Sequence, residues 1–463
     1  MFSGDFIFGL PVNVFYLVAL LAVITLLFVF LKRPIYEAMF IGYVGTVIMT
    51  GRYDLFMKNL IKPSTSSLFY AIVAFLLLAH IFGETKVVDK VINIILSFVG
   101  RFRGGAGYVS LVASTFMASL SGTGPGNVAA TGVFTIPTMI RTKFPRPLAA
   151  TVEMSASSLG PMIPPSGTIL LVFGVLDAFL PEANKIPLST FWLVVWGVGI
   201  WFVLQRFLTL LGFCYYYKVD PMRPDELPPL QKSFKEGWAA LIIPLIIFIP
   251  LLIDAKFSFL ISNRVAAEGA TAFSKTILLF TPGLAFLYAL YLGRNQIKGG
   301  LKIGNIFDML KNSFGGITPV AATVYFAYAI AYIYRDMGMT ETVSNWILGF
   351  GMGKGALIIF IPIFTAFLGM VLPGSSQIAI FGATFLTIFA AVGINPLLGA
   401  AMLPAITGAM EGMTPPLALS MYAAMGIADS KFVETSKLAF IWIGLHLLVA
   451  VLIFAGILPV FGM

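Results

Sequence analysis

The sequence predicts an all-α polytopic membrane protein whose two halves carry the same interrupted pattern. Of its 463 residues, 59% are hydrophobic and only 11% are charged, whereas a soluble domain is about half apolar and a quarter charged. In each half a Gly/Ser-rich break lies inside apolar sequence, and a Pro-Pro break follows at nearly the same distance. The two copies run from Gly122 to Pro164 and from Gly374 to Pro415.

The first apolar run, Leu10 to Leu31, predicts a membrane span and not a cleaved leader. It is long enough to cross a bilayer, and it continues directly into Lys32-Arg33. A net charge of +9 would suggest a nucleic-acid partner in a soluble protein. Here the Lys and Arg residues lie between apolar runs, where such residues orient the spans. We therefore expect the lipid bilayer as a partner and no nucleic acid.

Cysteine and histidine usage argue against an enzyme. The single Cys214 excludes a disulfide and any cysteine cluster. The two histidines, His80 and His446, are far apart in the sequence, and no paired acids or nucleophile arrangement accompanies them. The sequence therefore predicts no catalytic residues.

A polar linker at residues 218–237 separates the two halves. It contains four Pro and mixed charge, which predicts a loop or a short surface helix. We place the first half at 1–217 and the second at 238–463, with a polar loop at 255–276. The apolar runs that predict spans are 11–31, 35–50, 66–83, 190–217, 238–254, 277–293, 317–334, 355–372 and 437–461.

Residues 84–103 differ from the other apolar runs. Val87, Val91, Ile94 and Phe98 recur at helical spacing, and charges lie at both ends. This pattern predicts an amphipathic helix that lies along the membrane interface or braces other helices. An ordinary tilted span is the alternative.

The Gly/Ser-rich breaks predict a re-entrant helical hairpin in each half. Ser121 to Asn127 holds three Gly and one Pro in seven residues, and Pro alone costs a helix roughly 3 kcal/mol. Leu372 to Gln377 is its counterpart. Irregular backbone at membrane depth survives only inside protein or beside a cavity. The helix N-termini at such a tip attract an anion, and its carbonyls and hydroxyls can bind Na⁺.

The Pro-Pro pairs predict an unwound helix in each half. Each disfavours helix in the preceding residue and removes N–H groups, which frees carbonyls around Gly160 to Ser166 and Glu411 to Pro416. The alternative is that Gly and Pro only kink or pack the helices, but four breaks in two matched pairs favour a binding site. Hydroxyls that add ligands are those of Ser157, Ser158, Ser166, Thr168 and Thr414.

Acids inside membrane segments are functional candidates because burying them is costly. Glu411 adjoins the second unwound segment, where it can bind a cation, carry a proton or accept backbone N–H bonds. Glu153 follows the basic stretch Arg141 to Arg146. The sequence therefore allows two positions for Glu153, one near the membrane interface and one buried in the membrane. Asp177 and Asp429 are expected at helix ends, as solvated or capping groups.

Neither hairpin tip contains Lys or Arg. An anionic substrate would then be held by N–H groups, hydroxyls and bound cations, or by a basic residue that reaches in from elsewhere. Arg141 and Lys143 are candidates for that role, although anchoring at the cytoplasmic face is favoured.

At these residues the sequence resembles the large membrane (M) subunit of the tripartite ATP-independent periplasmic (TRAP) transporters. The resemblance covers most of the chain, in the segments FGETKVVDKVINIILSFVGRFRGGAGYVSLVASTFMASLSGTG, NVAATGVFTIPTMIR, SSLGPMIPPS, FLGMVLPG, GINPLLGAAMLP and GMTPPLALSMYAAMGIA. It implies two inverted repeats, each with one hairpin and one unwound helix, in an elevator-type carrier of the bacterial inner membrane. It also implies coupling to sodium, a periplasmic substrate-binding protein, and a small Q subunit beside the scaffold.

Carried over residue by residue, the resemblance places the hairpin tips at Ser121 to Asn127 and Pro373 to Gln377, and the unwound segments at Gly160 to Ser166 and Gly412 to Pro416. The implied substrate-binding candidates are Ser121, Gly122, Thr123, Asn127, Ser166, Ser375, Ser376, Gln377 and Thr414. The implied Na⁺ ligands, largely backbone carbonyls and enough for more than one ion, are Ser121, Asn127, Gly160, Pro164, Gly374, Glu411, Gly412 and Thr414.

Two features depart from the family pattern. Many members place an acid at the second tip, where this chain has Pro373-Gly-Ser-Ser-Gln, so the ligands of one cation site are an open question. The chain is also too short for a fused Q subunit, which we expect to be separate or absent.

The leading hypothesis is a sodium-coupled transporter subunit that imports a small organic acid with the help of a binding protein. The first alternative is a self-sufficient Na⁺- or H⁺-coupled organic anion symporter, with Glu411 as the residue for proton coupling. The second is a channel or structural membrane protein, which would need no inward-facing polar tips.

Overall fold

The computed structural model describes residues 6–121, 124–164, 166–181, 184, 186–243, 245–247, 249–250, 253, 264, 267–297, 300–370, 372–415 and 417–463. Within these ranges the regular structure is helical apart from a short antiparallel ribbon, in which Phe6–Ile7 pairs with Leu10–Pro11. Five of the described helices are long and apolar enough to cross a membrane, or six if one bent pair is a single span. The predicted all-α polytopic membrane fold is confirmed.

The first half of the chain contains helices α1 to α11. A π-helical turn, Leu26–Phe30, extends α1, and a second, Val128–Gly132, lies between α7 and α8. The bounds are α1 Val12–Thr25, α2 Ile35–Thr50, α3 Asp54–Ile61, α4 Ser67–Thr85, α5 Val87–Val99, α6 Gly105–Ser121, α7 Gly124–Asn127, α8 Val133–Arg141, α9 Arg146–Ser157, α10 Gly167–Phe179 and α11 Leu188–Tyr216.

The linker and the second half contain helices α12 to α21. Their bounds are α12 Leu230–Gly237, α13 Ala267–Gly293, α14 Ile303–Asp336, α15 Met339–Leu348, α16 Lys354–Leu368, α17 Gly374–Ala391, α18 Pro396–Ile406, α19 Gly408–Met413, α20 Leu419–Ala428 and α21 Phe432–Phe454. The span predicted at 238–254 lies partly outside the described residues.

Two helices are longer than the apolar runs that predicted them. Helix α13 begins at Ala267, inside the segment expected to be a polar loop, and α14 begins at Ile303 instead of near residue 317. The added turns of α14 are amphipathic: Ile306 and Met309 are half-buried and Ser313 is buried, at helical spacing. A search for continuous apolar runs misses such turns because half of their residues are polar.

The linker packs against the amphipathic helix predicted at 84–103. That helix is α5, which a left-handed Lys86 (φ 49°) separates from α4 and which contacts both α6 and α12. The backbone N–H of Met222 donates to the carbonyl of Gly100 at 3.2 Å, and Lys143 forms an ion pair with Asp220 at 2.8 Å. The bracing contacts are present; the interfacial position of α5 stays a prediction.

The two interrupted blocks pack against each other crosswise. Helices α7 and α8 contact α20, which follows the second Pro-Pro break, whereas α17 contacts α10, which follows the first. Helices α11 and α21, which come after the two blocks, contact each other and α18. A neighbouring group is formed by α1 to α4 with α13 and α14, and it contacts the blocks through α4 with α10 and α14 with α17.

Candidate functional site

Both predicted hairpin tips coincide with helix breaks. In the first half, α6 ends at Ser121 and α7 begins at Gly124; Gly122 and Thr123 lie outside the described residues, as does the side chain of Ser121. In the second half, α16 gives way to a turn, and α17 begins at Gly374. In both cases the chain continues into a helix that packs deep inside the protein.

Both predicted unwound segments also interrupt helices. After α9, the chain forms a single 3-10 turn, Gly160–Met162, and α10 starts after Ser166, whose hydroxyl accepts the N–H of Thr168 at 3.2 Å. In the second half an extended Thr414 and a left-handed Ala418 (φ 30°) separate α19 from α20. The predicted ligands Gly160, Pro164 and Gly412 are buried here, whereas Pro165 and Pro416 lie outside the described residues.

The breaks of the two halves meet in the interior. A methyl group added at Gly374, in the second tip, would collide with the backbone of Gly408 beside the second unwound segment. A methyl group at Gly408 would in turn lie 2.8 Å from Pro161 in the first unwound segment. One at Gly124, in the first tip, would collide with the hydroxyl of Ser420. Glycine therefore allows the close approach of the second tip to the second unwound segment, and of each half to side chains of the other.

Two buried amide side chains occupy comparable places at the two tips. Asn127 donates through Nδ2 to the carbonyl of Ser114 at 3.0 Å and to Oγ of Ser157 at 2.7 Å. Gln377 donates through Nε2 to the carbonyl of Leu372 at 3.0 Å. In both residues the amide oxygen is buried and has no hydrogen-bond partner within the described part of the chain. Each tip thus holds a buried amide oxygen whose orientation is fixed by the hydrogen bonds of the amide N–H groups.

Hydroxyl groups surround the same region. The Oγ atoms of Ser376 and Ser420 are buried and have no partner among the described residues, and Ser375 is half-buried beside Ser376. Thr414 differs, because its hydroxyl donates to the carbonyl of Met410 at 2.6 Å. Its oxygen lone pairs still allow it to act as a ligand.

Glu411 connects the second unwound helix to the second tip. Its carboxylate accepts a hydrogen bond from the backbone N–H of Gly374, the first residue of α17. A carboxylate at a helix N-terminus is favoured because it satisfies a free N–H and faces the positive end of the helix dipole. The structure therefore shows Glu411 as an acceptor of the tip N–H; its roles as a cation ligand or proton carrier stay predictions.

Glu153 is fully buried inside the protein, which favours the buried one of the two predicted positions. Side chains of α6, α8 and the π-helical turn Val128–Gly132 surround its carboxylate with hydroxyl groups. Each of five hydroxyls lies within hydrogen-bonding distance of its carboxylate: Ser114 (2.7 Å), Thr131 (2.6 Å) and Ser157 (3.3 Å) at Oε1, and Ser110 (2.6 Å) and Thr135 (2.6 Å) at Oε2.

Arg206 is a second buried charge, which none of the sequence patterns above indicated. It lies inside α11, a 29-residue helix, and is fully buried. Its Nε donates to the carbonyl of Ser155 and its Nη2 to Oγ of Ser158, both at 3.3 Å, at the end of α9. Nη2 also lies 3.7 Å from Sδ of Met413, in the second half. An arginine in an apolar run of this length is itself a signal of function.

His446 and Gln205 complete the surroundings of Arg206. Nη1 donates to the side chain of Gln205, and Nη2 lies 2.9 Å from Nδ1 of His446 on α21. Because an arginine only donates, Nδ1 must accept, and the imidazole is neutral with its proton on Nε2. That Nε2–H then donates to the carbonyl of Ala405 at 3.0 Å. Arg206 thus holds α9, α11 and α21 together beside both unwound segments.

The basic stretch before α9 does not reach either tip. Arg141 is exposed and donates to the carbonyl of Pro137 in its own helix at 3.4 Å, and Lys143 is exposed and paired with the linker as described above. Arg146 donates to the carbonyl of Ala428 at 2.8 Å and lies 3.5 Å from Asp429 at the end of α20. Within the described residues, Arg206 contacts the ends of the helices next to both unwound segments.

The atoms where the breaks meet are suited to a hard cation and not to a transition metal. Among the described residues no group of three or more His, Cys, Asp and Glu could hold a metal ion. The unsatisfied buried atoms are amide and hydroxyl oxygens, which are ligands that Na⁺ accepts. The residues present therefore fit the coupling ion that the resemblance implies.

Comparison with known proteins points to one family. Residues 12–459 match the family described as "Tripartite ATP-independent periplasmic transporter, DctM component". The chain is 24% identical to the isethionate TRAP transporter permease protein DctMQ of Oleidesulfovibrio alaskensis, covering all of this chain and 67% of that one. It is 23% identical to the sialic acid TRAP transporter large permease protein SiaM of Vibrio cholerae over 78% of each chain.

A further relative and one solved structure extend the likeness. The C4-dicarboxylate TRAP transporter large permease protein DctM of Rhodobacter capsulatus is 23% identical over 81% of each chain. The crystal structure of the YdaH transporter of Alcanivorax borkumensis superposes with a TM-score of 0.58 at 14% identity, covering 96% of this chain and 97% of that one. At that identity the structural likeness concerns the fold alone.

Proposed function

The chain belongs to the DctM family of tripartite ATP-independent periplasmic transporters, a transporter family and not an enzyme family, and we propose that it imports a small organic acid by coupling to Na⁺. Relatives named for isethionate, sialic acid and C4-dicarboxylates support an organic acid as the substrate class. The proposal places the protein in the bacterial inner membrane, with a periplasmic binding protein and a small Q subunit as partners.

The observation that carries the proposal is the meeting of the four breaks around unsatisfied oxygen atoms. The amide oxygens of Asn127 and Gln377 are buried without a partner in the described part of the chain. A buried acceptor without a partner costs about 1–3 kcal/mol. A bound cation would offset that cost at both tips, which supports one Na⁺ site in each half.

The substrate site is proposed beside the cation sites, at the first turn of α17. Within the described contacts, Gly374 donates its N–H to Glu411 and Gln377 donates its N–H to the carbonyl of Pro373. The N–H groups of Ser375 and Ser376 are left at the helix N-terminus, where an anionic group is favoured. No Lys or Arg is needed there, because bound Na⁺ adds positive charge.

The crosswise packing of the two blocks supports an elevator-type arrangement. The hairpins, the broken helices, α11 and α21 form one interlocked unit, which we propose as the transport domain. The neighbouring group, α1 to α4 with α13 and α14, is the proposed scaffold. The matched order of hairpin and broken helix in residues 1–217 and 238–463 supports two inverted repeats.

Uptake into proteoliposomes tests the proposed function. We expect accumulation of a labelled organic acid only when an inward Na⁺ gradient and the cognate binding protein are both present. Uptake without the binding protein would support the self-sufficient symporter instead. Flux that follows a pH gradient and ignores Na⁺ would contradict sodium coupling, and non-saturable flux would support a channel.

Asn127→Ala and Gln377→Ala should each weaken the response to Na⁺. Each removes one oxygen ligand from a tip, so we expect the Na⁺ concentration for half-maximal uptake to rise roughly 10-fold, the equivalent of about 1.4 kcal/mol. Asn345→Ala is the matched control, because Asn345 is exposed on α15 and belongs to neither a tip nor an unwound segment. Unchanged Na⁺ dependence in both tip variants would remove these amides from the proposed sites.

Glu411→Gln should transport much better than Glu411→Ala. The Gln carbonyl can still accept the N–H of Gly374, whereas Ala leaves that N–H without a partner, which costs about 1–3 kcal/mol. We expect Na⁺-driven uptake within about threefold of the unaltered protein for Gln and a loss of roughly 10-fold for Ala. If Gln were as inactive as Ala, the negative charge of Glu411, and not its hydrogen bond, would be the requirement.

A further inference from the structure

We propose that Glu153 supplies the negative charge for the cation site at the first hairpin without coordinating the ion itself. It acts as a positioning residue through Ser157 and Asn127. The inference rests on the proposed sodium coupling and adds to it the source of the charge that would attract the ion.

Hydroxyl groups converge on both oxygens of the Glu153 carboxylate. Four of its five hydroxyl contacts are 2.6–2.7 Å long, the range of charge-assisted O–H···O⁻ bonds. An ionised carboxylate only accepts hydrogen bonds, so hydroxyl protons can converge on both of its oxygens. A serine or threonine hydroxyl that donates its proton to the carboxylate keeps its lone pairs, so it can accept a hydrogen bond from a second donor.

No direct ion pair to Glu153 is present in the described part of the chain. No Lys, Arg or His among the described residues forms an ion pair with Glu153. The buried Arg206 donates its hydrogen bonds to Ser155 and Ser158 on α9, to Gln205 on α11 and to His446 on α21. A buried anion without a counter-charge inside a membrane domain is costly, and a bound cation nearby removes that cost.

The path from Glu153 to the tip runs through Ser157. Ser157 Oγ donates to Oε1 of Glu153 and therefore accepts from Nδ2 of Asn127 at 2.7 Å. The second Nδ2 proton goes to the carbonyl of Ser114 at 3.0 Å. Both amide protons are then used, and Oδ1 is left as the buried, unpartnered end. Glu153 thus fixes the orientation that presents an oxygen to the cation.

A second connection reinforces the first. The Thr131 hydroxyl lies 2.6 Å from Oε1 of Glu153 and 2.9 Å from the backbone carbonyl of Asn127. The same hydroxyl lies 2.8 Å from Oγ of Ser114, so Thr131 joins Glu153, Ser114 and the Asn127 carbonyl in one cluster. The side chain and the backbone carbonyl of Asn127 are thus each connected to Glu153 through one hydroxyl.

The second hairpin lacks this arrangement. Gln377 is oriented by the backbone carbonyl of Leu372, and the nearby acid, Glu411, accepts the tip N–H of Gly374 instead. The two cation sites should therefore differ, with the stronger electrostatic attraction at the first. Loss of the Glu153 charge should then weaken Na⁺ binding at the first hairpin and leave binding at the second hairpin unchanged.

The test is a Na⁺ titration of thermal stability on the purified full-length protein, at constant ionic strength with choline as the replacement cation. For Glu153→Gln we expect the half-maximal Na⁺ concentration to rise roughly 10- to 100-fold, because the attraction between the ion and a buried unit charge two hydrogen bonds behind its ligand is lost. Without Na⁺, the melting temperature should be unchanged or higher, since an uncompensated charge is gone. Glu37→Gln, at an exposed ion pair with Arg33, is the matched control and should change neither quantity.

Two further variants separate the charge from the hydrogen bonds. Ser157→Ala should raise the half-maximal Na⁺ concentration while Glu153 is intact, because the amide of Asn127 loses its orientation. Glu153→Asp should retain part of the Na⁺ response. A lower melting temperature of Glu153→Gln without Na⁺, combined with an unchanged Na⁺ response, would show a structural role only and overturn the inference.

The outcomes also distinguish this inference from the proposed function. If the unaltered protein responds to Na⁺ and Glu153→Gln responds identically, the role of Glu153 fails and sodium coupling stands. If the unaltered protein shows no Na⁺ response and loses pH-driven uptake on Glu153→Gln, both fail, and Glu153 would carry a proton.

Discussion

Uptake should fall to the background level when Gly374 is replaced by Ala. The new methyl group would collide with the Cα and N atoms of Gly408, and backbone atoms cannot rotate away as a side chain can. Gly408 has little room to move away, because Pro161 packs against its Cα. The second tip would have to move away from the unwound helix and from Glu411. A displacement of about 1 Å in a binding site can cost 100-fold, so we expect a loss of at least that size.

The measurement is the initial rate of Na⁺-driven uptake, normalised to the amount of reconstituted protein. Gly426→Ala in α20 and Gly444→Ala in α21 are matched controls, because a methyl group at either position meets open space. Gly124→Ala should be milder than Gly374→Ala, since its nearest obstacle is the side chain of Ser420. Near-normal uptake by Gly374→Ala would show that the close approach of tip and unwound helix is not required.

Arg206→Met should strongly reduce both the yield of folded protein and the rate of uptake. Met fills much of the volume of the arginine side chain. It leaves the Gln205 oxygen and Nδ1 of His446 without the guanidinium N–H groups that donate to them. Each buried acceptor without a donor costs about 1–3 kcal/mol. The loss also frees α9 from α11 and α21 next to both unwound segments. We expect a melting temperature lower by several degrees and uptake reduced roughly 10-fold or more.

The matched control for Arg206 is Arg141→Met, which removes the same charge from an exposed position at the end of α8. It should leave the melting temperature unchanged. Arg206→Lys should be intermediate, because Lys keeps the charge but cannot reproduce the planar set of donors. If Arg206→Met melted like the unaltered protein, the hydrogen-bond cluster around it would contribute little to holding the helices together.

Part of this architecture follows from the sequence by local rules. A chain that is 59% hydrophobic and 11% charged must lie in a membrane. The breaks could also be located from sequence, since Gly and Pro act on the backbone within one or two residues of their own positions. For that reason the helix ends near Gly124, Gly160 and Gly374 agree with the sequence pattern. Contacts with the rest of the chain are not needed to place them.

The surroundings of the charged residues could not be predicted in the same way. Arg206 and His446 are 240 residues apart, yet their side chains meet at 2.9 Å. Glu153 is buried because hydroxyls from three other helical segments close over it. Burial and hydrogen-bond partners depend on which distant segments pack together, and one sequence does not contain that information in any local pattern. Composition and Gly/Pro positions therefore determined the membrane fold and its breaks, whereas the tertiary structure alone decided which charges lie beside them.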